Sequence, residues 1–178
     1  SRSNEIENDA FYKWPVFLSV PLFYVTWIYS AWWLATVANS TTAYLGVTIG
    51  VALTNGLALV VGHELGHKNN RQEKNLAKLV LAVPAYGHFS AEHNRGHHKD
   101  VATDDPASAR LGESLYKFIL REIPGAFARA FHDENVRLKR KGKSVFSIEN
   151  QILQSFSITF LLYGGALYAW GPVILPFI

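Results

Sequence analysis

Two long uncharged stretches occupy much of the chain, and a polar segment lies between them. No Asp, Glu, Lys, Arg or His occurs from residue 14 to residue 62, and none occurs from residue 150 to residue 178. A soluble core does not need stretches of that length without a charge, whereas the hydrocarbon core of a bilayer does. The pattern therefore predicts an integral membrane protein.

Three segments are long and apolar enough to form membrane helices. The first has 24 residues and, at ~1.5 Å per residue, would extend ~36 Å, enough for a hydrocarbon core of ~30 Å. A short uncharged turn at residues 39–42 separates it from the second, which is rich in small residues that let membrane helices approach closely. We predict one all-α, polytopic membrane domain over residues 1–178, with helices at 15–38, 43–62 and 152–170.

The polar middle contains two further helical patterns. Residues 76–86 are apolar but too few to cross a bilayer, so they predict an interfacial or re-entrant helix that stops near Pro84. Residues 113–140 have an amphipathic pattern interrupted by Pro124 and Gly125. This interruption predicts a pair of helices broken at that point.

The basic residues indicate how the chain is oriented in the membrane. Fifteen of the seventeen Lys and Arg residues lie between Lys68 and Lys143, and the turn at 39–42 has none. By the positive-inside rule, residues 63–149 are cytoplasmic and the turn faces the opposite side. Because no aromatic-interleaved or helix-turn-helix pattern accompanies the basic residues, we expect no nucleic-acid partner.

Two residue types are absent, and each absence limits the interpretation. Without cysteine, disulfides, iron–sulfur clusters and thiolate-ligated zinc are excluded. Methionine is absent as well, including at position 1, and both ends lie in or beside apolar stretches. We therefore expect the chain to be an internal fragment of a longer protein.

Five of the seven histidines form two boxes, His63-x-x-x-His67 and His93-x-x-x-His97-His98. Residues four apart on a helix share one face, so each pair can hold one metal ion between its side chains. Titratable groups at a membrane boundary are expensive, which makes such a cluster a functional site by default. The other two, His88 and His132, are solitary. We expect them beside the site or at the surface.

The number of candidate ligands bears on the kind of metal centre. A catalytic zinc takes three protein ligands and a water, and five histidines exceed that number. Carboxylate-bridged di-iron bundles use two Glu-x-x-His pairs, and this sequence has one such spacing, Glu64-Leu-Gly-His67. An all-histidine site for two metals, or part of a larger site, fits better.

At these boxes the chain resembles the membrane-bound alkane 1-monooxygenases, relatives of the membrane fatty acid desaturases and of xylene monooxygenase. The resemblance rests on His63-Glu64-Leu-Gly-His67-Lys68 and Glu92-His93-Asn-Arg-Gly-His97-His98, and it extends through residues 100–110 and 121–127. The family has a further histidine in N-Y-x-E-H-Y-G and three more in a third box, and neither motif occurs up to residue 178. We expect at least four more ligand histidines beyond residue 178.

The resemblance implies a specific chemistry. Two non-haem iron ions would insert one oxygen atom from O₂ into the terminal carbon of an alkane, with electrons from rubredoxin and rubredoxin reductase. It implies no catalytic side chain beyond the metal ligands, which would be His63, His67, His93, His97 and His98. Glu64 and Glu92 would orient the ligating imidazoles, and Lys68 and Arg95 would help to dock the acidic electron donor. The implied location is the bacterial inner membrane, with the histidine boxes in the cytoplasm.

Two other classes of function remain as alternatives. His63-Glu64-Leu-Gly-His67 also satisfies H-E-x-x-H, in which the glutamate of a zinc protease is the general base, so an intramembrane metalloprotease is the first. That alternative leaves the second box unexplained. The second is a metal transporter, which would need polar groups in mid-membrane, whereas the predicted membrane helices are apolar through their centres.

Overall fold

Residues 10–92 and 108–178 are described by the computed structural model. All regular structure in these residues is helical, which confirms the all-α prediction. The helices are α1 (Ala10–Thr36), α2 (Thr41–His67), α3 (Arg71–Ala82), α4 (Phe89–Glu92), α5 (Leu115–Arg140) and α6 (Gln151–Trp170), and a 3-10 turn, Pro172–Ile174, follows α6.

Three of these helices are long and apolar enough to cross a membrane: Lys13–Thr36, Thr41–His67 and Gln151–Trp170. They match the three predicted helices. Each presents large apolar side chains outward, among them Leu22, Leu53 and Phe160. Outward-facing apolar surface of this extent is typical of contact with lipid. The helix α2 continues five residues beyond the predicted end at residue 62, so the first histidine box lies on its last turns.

The short helix α3 packs between the membrane helices. It begins at Arg71 because the Asn70 side chain accepts a hydrogen bond from the backbone N–H of Gln72 at 2.9 Å. It ends at Ala82, two residues before Pro84, close to the predicted stop. It begins five residues before the apolar run at 76–86. The apolar run did not reveal this first part of the helix, because its first turn is polar.

Hydroxyl groups from α1 and α6 donate to carbonyl groups in the last turn of α3 and at its C-cap, Val83. Tyr24 of α1 donates to the carbonyl of Leu79 at 2.7 Å. Thr159 of α6 donates to Ala82 at 2.8 Å, and Tyr163 of α6 donates to Val83 at 2.7 Å. A helix end leaves up to four carbonyls without intrahelical partners, and in an apolar bundle they need other donors. These three bonds tie α3 to two membrane helices.

Close contact between α2 and α3 depends on a glycine. A Cβ atom at Gly62 would lie 2.5 Å from Leu81 Cδ2, and Leu81 is fully buried. Trp27 of α1 lies in the same core and stacks on Tyr163 with ring centroids 4.9 Å apart. At the far end of α6, Gly171 has a φ of +75°, which ends the helix at the predicted place.

The predicted break at Pro124 is wrong: α5 is one helix from Leu115 to Arg140 with Pro124 inside it. A proline in a helix interior loses one backbone hydrogen bond and costs ~3 kcal/mol. An ion pair between Glu122 and Arg129 spans the Pro124-Gly125 step. Beyond it, Ala130 packs against Ala91 of α4 and Ile152 of α6 in a small second core. Both contacts hold the two halves of α5 in one line.

Glu134 connects α5 to the start of α6. Its side chain is fully buried, and its carboxylate accepts hydrogen bonds from Arg137 at 2.6 and 2.7 Å and from the backbone N–H of Gln151 at 2.7 Å. Arg137 also donates to the backbone carbonyl of Glu149 at 2.7 Å. This network satisfies a charge that would otherwise be costly to bury.

We expect Glu134→Ala to destabilise the protein by roughly 3 kcal/mol, because it leaves the Arg137 guanidinium without its buried partner. The measurement is thermal unfolding of the purified full-length protein in detergent. Glu149→Gln is the matched control, since that carboxylate pairs with Lys141 and Lys143 at the surface and should change stability little. Equal melting temperatures for Glu134→Ala and the control would contradict the assignment.

Candidate metal centre

His63 and His67 lie on the last turns of α2 and face each other. Their Nε2 atoms are 3.0 Å apart, and the ring centroids are 4.5 Å apart with the rings nearly perpendicular. Residues four apart on a helix share a face, and α2 keeps its helical form through His67. The first box therefore brings two imidazoles together, as the sequence predicts.

The separation of the two nitrogens fits a shared metal ion. With a histidine–metal bond of about 2.1 Å, two nitrogens 3.0 Å apart subtend an angle of about 90° at the metal. That angle is normal for neighbouring ligands of one ion. Imidazole nitrogen suits iron, zinc and copper alike. The pair can therefore supply two ligands of a metal centre.

The second box lies outside the described residues. This concerns His93, His97 and His98, together with Arg95 and the side chain of Glu92. Within residues 10–92 and 108–178, no three His, Asp or Glu side chains gather closely enough to hold a metal ion. The remaining ligands of the predicted centre thus stay a prediction, and so does the role of Glu92.

Glu64 lies beside the histidine pair, on the exposed side of α2. Its Oε1 atom is 3.9 Å from His63 Nδ1, which is beyond hydrogen-bond distance, and 62% of its side chain is exposed. The predicted role of Glu64 in orienting an imidazole remains a prediction. Lys68 follows at the end of α2, where its backbone N–H donates to the carbonyl of Leu65 at 3.3 Å.

His88 is buried, with 3% of its surface exposed, so a surface role is wrong for this residue. Its ring lies among Tyr86, Phe127 and Phe156, with centroids 4.4, 5.4 and 6.3 Å away. Neither ring nitrogen has a hydrogen-bond partner in the described part of the chain. Burial lowers the pKa of His88 to about 4, so the imidazole is neutral at physiological pH. His132, by contrast, is exposed on α5.

Gly87 and Phe89, on either side of His88, pack against other helices and hold this segment in place. A Cβ atom at Gly87 would lie 2.2 Å from Ser155 Cβ, so only glycine lets this segment approach α6 so closely. Phe89 follows, and its ring centroid is 6.0 Å from that of His63. A buried imidazole within this packing could not be predicted from the sequence, because His88 belongs to no helical pair.

A cavity of about 520 Å³ opens beside His67. The C-terminal end of α2 and the start of α6 form two of its sides, and the first two turns of α3 form a third. Three cationic side chains of α3 line it: Arg71, Lys74 and Lys78. Sequence analysis did not single them out, although their spacing of three and four residues places them on one helix face.

Comparison with known proteins assigns the chain to a family. Residues 39–178 match the sequence profile described as fatty acid desaturase, over most of the chain. The chain belongs to the fatty acid desaturase family. This membership confirms the family resemblance that the two boxes predict.

The chain is also similar to curated alkane 1-monooxygenases. The chain is 50% identical to alkane 1-monooxygenase 1 of Alcanivorax borkumensis over 98% of its length, which covers 43% of that relative. It is 49% identical to alkane 1-monooxygenase of Ectopseudomonas oleovorans, again over 98% of its length and 44% of the relative. It is 26% identical to the xylene/toluene monooxygenase hydroxylase component of Pseudomonas putida, over 72% of its length and 36% of the relative. The chain spans less than half the length of these curated relatives.

We expect His88→Phe to remove part of the loss of stability at acid pH. The unfolded chain binds a proton near the ordinary histidine pKa of 6.5, whereas folded His88 does so only near 4. Stability is therefore retained above pH 6.5 and falls by up to about 3 kcal/mol as the pH drops from 6.5 to 4. Thermal unfolding in detergent across this range should show a smaller loss for His88→Phe than for wild type. His132→Gln is the exposed control, and an unchanged pH dependence in His88→Phe would contradict the assignment.

Proposed function

We propose that the protein containing this chain is an alkane 1-monooxygenase of the membrane. It inserts one atom of O₂ into the terminal C–H bond of an alkane, and two electrons and two protons reduce the other atom to water. The observation that carries the proposal is the identity of about 50% over 98% of the chain to two relatives with that name. The paired imidazoles at the end of α2 supply the matching chemistry.

The metal in this proposal is non-haem iron. His63 and His67 would supply two of its ligands. Their Nε2 atoms have the separation that two neighbouring ligands of one ion need. His93, His97 and His98 are the other proposed ligands from this chain, and two irons are the proposed complement. When bound, iron supplies the activation of O₂. The polypeptide contributes the fixed orientation of His63 and His67 at the end of a membrane helix.

The substrate reaches this site from the lipid. Each CH₂ group favours an apolar environment by about 0.8 kcal/mol, so a medium-chain alkane is concentrated in the bilayer. The three membrane-capable helices contain no Asp, Glu, Lys or Arg between residues 14 and 62 or after residue 149. A substrate without polar groups can approach along such helices with no desolvation cost.

Electrons come from a soluble acidic donor, which we propose to be rubredoxin, reduced by its reductase. The support is the charge distribution: fifteen of the seventeen basic residues lie between Lys68 and Lys143. A basic face steers an acidic partner towards the site. Lys68, next to His67, and Arg95 are the proposed contacts.

The two alternatives fit less well. A zinc protease would need Glu64 as a general base, but family membership assigns the chain to the fatty acid desaturases. A transporter would need polar groups along the membrane helices. The side-chain hydroxyls of α1 and α6 at residues 24, 159 and 163 instead bond to carbonyls of α3.

We propose that residues 63–149 face the cytoplasm of a bacterial inner membrane and that the 39–42 turn faces the opposite side. Reporter fusions test this orientation: a cytoplasmic reporter should be active when inserted after Lys143 and inactive when inserted after Ser40. The same pair of sites should give the reverse result with a periplasmic reporter. Periplasmic activity after Lys143 would overturn the topology.

We expect His67→Ala to abolish alkane hydroxylation in the full-length protein, with a loss of at least about 100-fold. His132→Ala, on the exposed face of α5, should keep activity within about twofold. The measurement is conversion of a medium-chain alkane to its 1-alkanol, with bound iron and membrane expression quantified for each variant. Normal turnover of His67→Ala at normal expression would refute the site.

A further inference from the structure

Among the residues that the structure describes, three cationic side chains and no carboxylate line the cavity beside His67. Arg71, Lys74 and Lys78 line it from α3, and Lys74 and Lys78 are four residues apart, a spacing at which like charges repel. In the described part of the chain, no carboxylate lies within ion-pair distance of any of these three cations. Three clustered cations that no carboxylate of the described residues pairs favour the binding of an anion.

Lys78 is the most enclosed of the three cations. Its Nζ atom donates to Gln154 Oε1 at 2.7 Å and to Asn75 Oδ1 at 3.5 Å. Burial lowers the pKa of Lys78, the Glu134 carboxylate raises it, and the Arg71 and Arg137 charges lower it further. Glu134 is already committed to Arg137 and to the backbone of Gln151. An anion in the cavity would offset the repulsion from Arg71.

The lining offers neutral donors as well as charges. Amide side chains surround the three cations, and they come from the α2–α3 connection, α3 and the start of α6: Asn69, Asn75, Gln151 and Gln154. An arginine, two lysines and amide N–H groups are the combination that proteins use for phosphate oxygens. A volume of about 520 Å³ is within the range of small-molecule sites and large enough for a glycerophosphate group.

The position of the cavity indicates where such a phosphate would come from. Its walls include Gly66 and His67 at the end of α2 and Gln151 and Gln154 at the start of α6. These are the polar ends of two helices that are able to cross a membrane. Lipid headgroups lie at that level, and basic pockets between membrane helices bind anionic lipids.

We propose that this cavity binds the phosphate group of an anionic membrane phospholipid, held by Arg71, Lys74 and Lys78. The three cations lie on α3, in the same cavity as the proposed metal ligand His67, and the proposed lipid site does not depend on the alkane chemistry. Lipid bound there would anchor the start of α3 beside the end of α2, next to His67. A soluble phosphate compound would use the same groups, so the experiment separates the two sources.

The test is retention of lipid by the full-length protein in detergent, measured by native mass spectrometry. Phosphatidylglycerol should be retained in preference to phosphatidylcholine. The double variant Arg71→Gln/Lys74→Gln should weaken its binding by about 30-fold, since each cation contributes about a factor of five. Both side chains are exposed, so the substitutions should leave the fold intact, and circular dichroism checks this.

The double variant Lys139→Gln/Arg140→Gln is the matched control. It removes the same net charge from exposed positions at the end of α5, away from the cavity lining, and should bind phosphatidylglycerol like wild type. Equal losses in both double variants would mean non-specific attraction and would overturn the site.

A second experiment measures the displacement of phosphatidylglycerol by inorganic phosphate, with chloride at equal ionic strength as the comparison. Displacement of phosphatidylglycerol by phosphate, absent in Arg71→Gln/Lys74→Gln, would support a phosphate site filled by lipid. Phosphate binding without any preference for phosphatidylglycerol would overturn the lipid source in favour of a soluble compound. Binding of neither probe would overturn the proposal, while the alkane assay would still report separately on the proposed function.

Discussion

The arrangement of the described residues depends on the carbonyl groups at the end of α3. This helix has twelve residues, too few to cross a bilayer, yet its last turn packs among helices that can. Backbone N–H groups donate to the carbonyls of Val80, Leu81 and Ala82, and in an apolar bundle the end of a helix also needs donors from other helices. Tyr24, Thr159 and Tyr163 supply them at 2.7 to 2.8 Å. These bonds connect α1 and α6 through α3, and the core of Trp27 and Leu81 forms around them.

The candidate metal centre follows from that arrangement. With α3 fixed, the absence of a side chain at Gly62 lets α2 approach Leu81, and the absence of one at Gly87 lets the next segment approach Ser155. The end of α2, with His63 and His67, thus lies next to Phe89. The proposed oxygenase would have its metal ligands at the polar ends of helices whose apolar surfaces meet the substrate in lipid.

The charged side chains of the same region form two groups, one around Glu134 and one on α3. Around Glu134, each buried charge has a partner, and the network joins α5 to α6. On the α3 side, Arg71, Lys74 and Lys78 face a cavity without a carboxylate among the described residues to balance them. Balanced charge stabilises the fold, whereas unbalanced charge close to a membrane boundary is suited to an anionic ligand. The proposed headgroup site and the metal ligand His67 share this cavity.

The sequence by itself determined the features that depend on composition and local period. The three membrane-capable helices follow from uncharged length, and the His63–His67 pair follows from a spacing of four on a continuous helix. Only the tertiary structure decided the features that depend on contacts between distant segments. The helix α5 continues through Pro124 because the Glu122–Arg129 pair and the core at Ala130 hold it. His88 is buried because Gly87 fits against Ser155, and the α3 cations converge because hydroxyls seventy or more residues away hold that helix in place. No local pattern encodes such contacts, since each depends on where the rest of the chain folds.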